Sequence, residues 1–573
     1  MEKRVLLMVL LMTAVIMATN FLFPTPKQQP SGAAKGDSVA TAAAPASAPA
    51  ALPALPAGAA QAPAQQVVVS SSLYRYTFST RGASLVGARM LRYASARQGE
   101  QVELVPAGSG GMLGHRLVVG RDTVDLRGLP FQASATRLEL REGGPPQQLR
   151  FTYGAPGGLG VEVTYTFRPG DYLVDVAGRV TGTPGGTLLT RLGPGLATRD
   201  AAHDVGVVVN QGDEIERFPF GKVEGREVLA GPLSWVGVKD KYFLAAVVAR
   251  DSAAPLREAV LSPLPGERVR DPGGETVVLP RLEVTAALPL GPGGAFAYSA
   301  YVGPQEHERL VAVGSGLEEV TPYGYAWLRP VVRPIASATL WVMRELHGTL
   351  GISYGWVLII IGVLVKLLLW PLNAKATRAQ MKNMAVQPLV QEIQTKYKND
   401  PQKQQEEMIR LYKEHGFNPV AGCLPLLIPM PIFITLYFVF QNAIEFRGVS
   451  FAWLPDLSQK DPYYLIPVLF IASTFVLQWV STKLSGMETN PQMKMMMYVM
   501  PVMMGIFFVN MASGLNLYYT ASNLAGLPQQ VLIARERRRA AEEMKAKKAA
   551  EEATVRKPGG GTAPATRQQK RRG

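Results

Sequence analysis

A lysine interrupts an apolar run. From Ile352 to Leu372 the only charged residue is Lys366, roughly 10 Å from the end of the run at about 1.5 Å per helical residue. A charge at the centre of a membrane helix costs about 2.5–3.5 kcal/mol on insertion scales, so such residues mostly face a bundle interior or a wet cavity. Two readings fit Lys366. It is the cation of a polar cavity, or its long stem snorkels to the headgroups. None of the other apolar stretches offers an Asp or Glu as a buried partner, and an unpaired cation needs water, which favours a cavity. Gln441, Asn442, Gln478, Asn510, Asn516, Tyr518, Tyr519 and Asn523 are the polar residues able to line it, although some of them serve only to join helices.

Other chemistry drops out residue by residue. His307-Glu308 begins like a zinc-protease helix, but the second histidine would fall at Val311. Gly221-Lys222 resembles the end of a phosphate loop, yet Glu216 stands at its first glycine and Val223 at its Ser/Thr. The single cysteine, Cys423, rules out a disulfide framework and a cysteine metal cluster; inside an apolar run it reads as a small packing residue. No metal, cofactor or small-molecule substrate is expected. Any work on a partner must run on the partner's own hydrophobic partitioning.

Elements must hold these residues in place, and the 573 residues leave room for two or three domains. The formal charge of +15 points to anionic partners, nucleic acid or lipid headgroups, and the basic residues cluster beside apolar segments. Lys3 and Arg4 precede an uncharged run from Val5 to Phe23, long enough to cross the hydrocarbon core. A cleaved signal peptide competes with this reading, but Ala18-Thr19-Asn20 before Phe21 is a poor cleavage site. Residues 1–23 therefore read as an anchor with its basic end in the cytoplasm. Residues 24–66, dominated by Ala, Pro, Ser and Gly, lack the side chains to offset ordering entropy and read as a disordered linker.

From residue 67 to 316 the pattern is all-β. Ser72 to Phe78, Val161 to Phe167 and Tyr172 to Val176 alternate with period two between Gly/Pro turns, the mark of antiparallel strands in a sandwich or barrel. Residues 317–351 form an amphipathic segment around Leu340 to Met343, suited to the membrane interface. Five more candidate spans follow within 352–533: Ile352 to Leu372, Ala421 to Ala443, Tyr463 to Thr482, Met493 to Met511 and the more polar Gly514 to Ile533. With six spans, the loop 374–420 and the tail 534–573, both rich in Lys and Arg, share the N-terminus's side, while Ile444 to Pro462 carries only Arg447 and Lys460. That asymmetry follows the positive-inside rule and supports six. In the loop, Met381, Ala385, Leu389, Ile393 and Tyr397 make one apolar helical stripe. Asn399-Asp400-Pro401 stops that helix and starts another, with Asp400 as N-cap. The stripe lies on the membrane or the bundle, or docks nascent chains.

The stretch from Tyr323 to about Arg539 resembles the YidC/Oxa-type insertase domain. The matching words are Trp370-Pro371-Leu372, Asn418-Pro419 to Gly422-Cys423-Leu424-Pro425, Met430-Pro431-Ile432-Phe433, Asp461-Pro462-Tyr463-Tyr464, and Ser513-Gly514-Leu515 through Leu517-Tyr518-Tyr519 to Ser522-Asn523. In layout, the β-domain resembles the periplasmic β-supersandwich of Gram-negative members. The resemblance implies a polytopic six-span bundle of the bacterial inner membrane with cytoplasmic termini. It implies a non-enzymatic insertase and chaperone, acting alone or beside the Sec translocon, with a hydrophilic groove open to cytoplasm and lipid. The family usually carries Arg on the second span, where this sequence has Lys366; Gln478 and Tyr519 match the groove's polar and aromatic positions. Two other classes compete. A transporter or channel of the inverted-repeat kind should divide into two halves with broken helices, and five spans with one hairpin do not. A membrane-anchored β-domain that binds a sugar or a partner needs an acidic and aromatic cluster, and none stands out.

The tail adds a test. A run such as Arg535, Arg537, Arg538 and Arg539 is most often a solvated or lipid-facing segment, but ribosomal RNA is a natural partner for it through phosphate neutralisation. Removing 534–573 is expected to weaken co-sedimentation with translating ribosomes, and the tail-dependent binding should fall as salt rises. Equal binding with and without the tail would leave only the membrane surface.

Overall fold

The alternation in Val161, Val163, Tyr165 and Phe167 puts all four side chains on one face, and all four are buried. The strand they form, Gly160–Phe167, pairs antiparallel with Gln147–Gly154 and Leu173–Thr181. It belongs to a computed structural model that describes residues 63–95, 100–155, 158–183, 185–198, 205–212, 214–250, 254–270, 276–321, 329–374, 387–398, 400–414, 430–484 and 491–555. The expected N-terminal anchor and nearly all of the linker lie outside the described residues.

Among those residues are nineteen strands, fourteen in one sheet and five in another. The smaller sheet contains Gln66–Ser70, Tyr74–Ser79, Ser84–Ala94, Gln101–Glu103 and Arg137–Glu139; only the pairing of Gln66–Ser70 with Arg137–Glu139 is parallel. Face-to-face packing of the sheets makes the core. Phe78 of the small sheet meets Tyr165, Phe151 and Phe167 of the large one at ring separations of 4.7, 6.1 and 5.9 Å, and the Tyr165 hydroxyl donates to the Ala83 carbonyl at 2.8 Å. Aromatic rings at these separations add packing energy beyond the area they bury.

The chain leaves the sandwich through a clasp. Gln305 donates to the carbonyls of Asp240 and Phe243 at 2.8 and 2.9 Å and accepts from Thr321 at 2.5 Å. Helices follow: α1 (His307–Val313), α2 (Arg329–Leu350), α3 (Tyr354–Leu368), α4 (Gln387–Lys396), α5 (Pro401–Glu414), α6 (Met430–Asn442), α7 (Leu465–Leu484), α8 (Pro491–Phe508) and α9 (Ser513–Val555). Amphipathic α2 turns Val332, Ala336, Leu340 and Met343 inward and leaves Trp341 exposed. Asp400 caps α5, its carboxylate accepting from the Lys403 amide at 3.1 Å.

Helices α3, α6, α7, α8 and α9 stand at the five expected spans, but among the described residues no helix is long and apolar enough to cross a membrane. Two boundaries differ from expectation for local reasons. Helix α3 ends at Leu368 instead of running on to Leu372. Pro371 has no amide to return to the Leu367 carbonyl, and helical geometry breaks for one turn residue, Leu369, before it resumes from Trp370 to Ala374. Helix α9 does not stop at Ile533 but continues to Val555, because Ala, Glu, Lys and Arg are strong helix formers and Arg538 pairs with Glu542 one turn on, at 3.0 Å.

The sandwich and the helices share one short turn, Ile444–Phe446. Ile444 is buried with the sandwich core, whereas Phe446 is buried with the helical core, against Tyr354 and Phe440 at 5.9 and 5.8 Å. Arg447 then donates to the Ala94 carbonyl at 2.6 Å and lies over the Tyr242 and Phe243 rings. Helix α2 adds Arg344 to Glu308 at 2.7 Å, His307 to Ser337 at 3.0 Å, and an ion pair between Arg333 and Glu319. Burial pushes the Glu445 carboxyl up at this junction.

One buried histidine makes the sandwich acid-sensitive. His115 is 2% exposed, hydrogen-bonded through Nε2 to the Tyr298 hydroxyl at 2.9 Å, and burial pushes it down to about 4. In the unfolded chain a histidine titrates near 6.5. The unfolded state therefore takes up a proton before the folded state does, and stability is lost as pH falls from about 6.5 to about 4, by up to about 3 kcal/mol. His115→Gln should flatten this part of the stability profile, read as thermal unfolding of the detergent-solubilised protein at pH 7.5 and 4.5. Unchanged acid sensitivity would show that His115 is not its source.

Candidate functional site

Glycines bring α3 against α9. At Gly362 a side chain would meet the Tyr518 carbonyl at 3.1 Å and the Ser522 amide at 3.3 Å, so the two backbones are in contact. Leu358, four residues earlier, fills the space beside Gly514, and Lys366, four residues later, fills the space beside Gly526. Four-residue steps keep one face of a helix in register, and the pairs advance in the same direction on both helices. Gly362 and the Ser522/Gly526 spacing are the small-residue signal expected for helices packed in membranes; the sequence reading passed over both.

Lys366 is half-buried, roughly 18 Å along α3 from Tyr354 at about 1.5 Å per residue. A β-carbon at Gly526 would lie 2.6 Å from its Cε and 3.1 Å from its Nζ, and the Leu477 methyl of α7 is 3.6 Å from the same point. The ammonium therefore sits beside α9 and α7. Among the described residues no carboxylate pairs with it.

The other candidates divide. Gln478 follows Leu477 on α7 and is half-buried. Asn523, one turn before Gly526, donates to Ser473 and Thr474 of α7 at 3.1 and 2.9 Å, tying α9 to α7 just above the lysine. Tyr519 is half-buried among Phe433, Phe470 and Phe508, at 6.2, 6.2 and 5.3 Å. Asn516 and Tyr518 are fully buried and take packing roles. Asn516 donates to the Phe508 carbonyl at 3.0 Å across the turn between α8 and α9, and Tyr518 packs on Phe440 of α6 at 4.9 Å. Gln441 and Asn442 end α6 near the sandwich, far along the bundle from Lys366, and Asn510 is exposed in the α8–α9 turn. Beside Lys366 stand Gly526 and Leu477, with Asn523 about one turn before Gly526 on α9. Buried Gln529 donates to the Trp370 carbonyl at 3.1 Å and ties α9 to the segment after α3.

Three polar atoms in the bundle, Gln441 Oε1, Asn516 Oδ1 and the Tyr518 hydroxyl, are buried without a hydrogen-bond partner. A buried unpaired group costs about 1–3 kcal/mol. Among the described residues no cluster of ligands could hold a metal ion.

A β-sandwich joined to a helical bundle with a lysine seated between its helices defines a two-domain protein, one part sheet and one part helix. The family model for the YidC periplasmic domain matches residues 66–338, and that for the 60Kd inner membrane protein matches 345–541. The membrane protein insertase YidC of Syntrophus aciditrophicus is 30% identical over 82% of this chain and 85% of its own length; that of Geobacter metallireducens is 30% identical over 93% and 98%. A crystal structure of an active YidC insertase with its first transmembrane domain resolved matches 81% of this chain and 92% of its own, at 18% identity and a TM-score of 0.33. The chain belongs to the YidC family of membrane protein insertases, inner-membrane proteins with a periplasmic domain that are not enzymes.

The two kinds of helix contact should differ in cost. Gly362→Ile pushes a branched side chain into the α9 backbone, which cannot rotate away, and should destabilise by about 1–3 kcal/mol. Asn523→Ala removes two hydrogen bonds, each worth about 0.6 kcal/mol on average in membrane proteins, and should cost about 1 kcal/mol. Unfolding of the purified protein in mixed micelles measures both. A Gly362→Ile variant as stable as the parent would contradict the close approach.

Proposed function

We propose that this insertase passes nascent membrane proteins through a hydrophilic groove bounded by α3, α7 and α9, with Lys366 as its cation. The observation that carries this reading is the seat of the ammonium between two helices, with no carboxylate beside it among the described residues. Gln478, Tyr519 and Asn523 line the groove, while Asn516 and Tyr518 hold its frame. Six spans, with both termini cytoplasmic and the β-domain periplasmic, fit the charge asymmetry of the loops, and the domain limits are those read from the sequence. The Sec translocon, ribosomes reached through the basic tail, and lipids are the proposed partners.

Such a groove works by lowering a desolvation barrier. A polar segment that crosses hydrocarbon loses its hydrogen bonds to water, at roughly 2–7 kcal/mol per unpaired group depending on reference state. A wet cleft reaching partway across spares much of that cost, and the lysine attracts acidic residues of the segment. The substrate's apolar helix then moves sideways into lipid. The uncompensated polar atoms of the bundle support an interior that tolerates polar visitors. Snorkelling is the second reading of Lys366, favoured by the length of its stem.

Lys366→Arg should preserve insertion, because the role asked of the residue is charge. Lys366→Ala and Lys366→Glu should impair substrates with acidic exported tails most, by roughly tenfold for an attraction near 1.4 kcal/mol. Protease protection of paired substrates that differ only in tail charge measures this. An equal response of both substrates to Lys366→Ala, whether none or total loss, would rule out electrostatic capture.

A further inference from the structure

Glycine inside a helix is about 0.5–1 kcal/mol less favourable than alanine, and it persists where the backbone or a neighbour needs it. At Gly526 no positive φ demands a glycine, and the helix runs on through Pro528 two residues later. The neighbour is the end of the Lys366 side chain. The missing β-carbon would fall 2.6 Å from Cε and 3.1 Å from Nζ, whereas the next atom, the Leu477 methyl, is at the ordinary contact distance of 3.6 Å. We infer that Gly526 is a positioning residue for the lysine: the bare backbone of α9 is the track along which the Lys366 stem reaches the space between α9 and α7.

The geometry separates this role from that of Gly362. There the atoms in the way belong to the α9 backbone, so a side chain forces the helices apart. At Gly526 the atoms in the way end a flexible chain with rotatable methylenes. A single methyl is therefore accommodated by swinging the ammonium away, with the helix packing left in place. Asn523 and its bonds to Ser473 and Thr474 keep α7 and α9 together one turn earlier, so the displaced ammonium cannot be followed by a general opening of the cleft. Alanine at 526 should thus move the charge while preserving the fold, and for the helix itself it is a better residue.

This inference rests on Lys366 being the groove's cation, and the test separates the two ideas. Gly526→Ala, Lys366→Ala and the double variant are made in the full chain and reconstituted in vesicles, with thermal unfolding as the control for folding. Insertion of the paired acidic-tail and neutral-tail substrates is then scored. Gly526→Ala is expected to lower acidic-tail insertion about three- to tenfold, to change neutral-tail insertion less than twofold, and not to lower the melting temperature. In the Lys366→Ala background the same substitution should change neither substrate, because a residue that acts only through the lysine has nothing left to position. A charge-selective loss in Lys366→Ala with Gly526→Ala silent, or with a Gly526→Ala defect that persists in the double variant, overturns the positioning role alone. Lys366→Ala without charge selectivity overturns the cation reading and this inference with it.

Discussion

The approach of α3 to α9 at Gly362 is the contact on which the rest of the bundle depends. In lipid, helices gain little from burying apolar surface against one another, because the acyl chains are as apolar as leucine; close packing of backbones and hydrogen bonds between helices must hold them. Gly362 allows such packing, with the Tyr518 carbonyl and Ser522 amide within about one side-chain radius of it. Once that register is set, Lys366 falls beside Gly526. The neighbouring helices are then attached one by one to α9: α7 through Asn523, α6 through the packing of Phe440 on Tyr518, and the end of α8 through Asn516.

A second constraint lies at the boundary between the sandwich and the helices. The sandwich satisfies its backbone in sheets and buries a continuous aromatic core, which makes it self-sufficient. The helical half is pinned to it by a turn whose successive residues enter opposite cores, Ile444 the sandwich and Phe446 the bundle. Arg447 completes the pin on a rim prepared by Asp240, whose carboxylate accepts from the amides of Tyr242 and Phe243 at 2.8 and 2.6 Å and so sets the two rings beneath the guanidinium. The end of α6 is thereby fixed to the sandwich, and with α6 one flank of the bundle.

The family resemblance led to the expectation of an arginine at this place on the second span, and the chain has Lys366. A guanidinium offers a planar fork for two-point hydrogen bonding, whereas an ammonium is a compact charge on a flexible stem. The track over Gly526 suits the second kind of group. The end of the lysine stem makes the contact with Gly526, and among the described residues no carboxylate pairs with the charge it presents beside α7 and α9. Recognition of many different acidic segments asks for that sort of contact, since no single geometry of the visitor is imposed.

Much of this protein was legible in one dimension. Alternation in Val161 to Phe167 foretold the strand and its buried face, Asp400-Pro401 foretold the start of α5, and Lys366 stood out as one charge in an apolar run; each depends on local periodicity or on one residue of unlike character. The words around Trp370-Pro371 and Leu517-Tyr518-Tyr519 led to the right family. Other features had no local signal. Tyr518 and Tyr519 are adjacent and alike, yet one is sealed against α6 and the other half-open toward α7 and α8, because a helix turns successive residues to different neighbours. Nothing beside Gln529 in the chain marks its partner, the Trp370 carbonyl 159 positions earlier. The sharing of Ile444 and Phe446 between two cores, and the seat of a lysine on a glycine some 160 positions away in the chain, are properties of the packing alone, decided by which surfaces meet and not by what either segment prefers by itself.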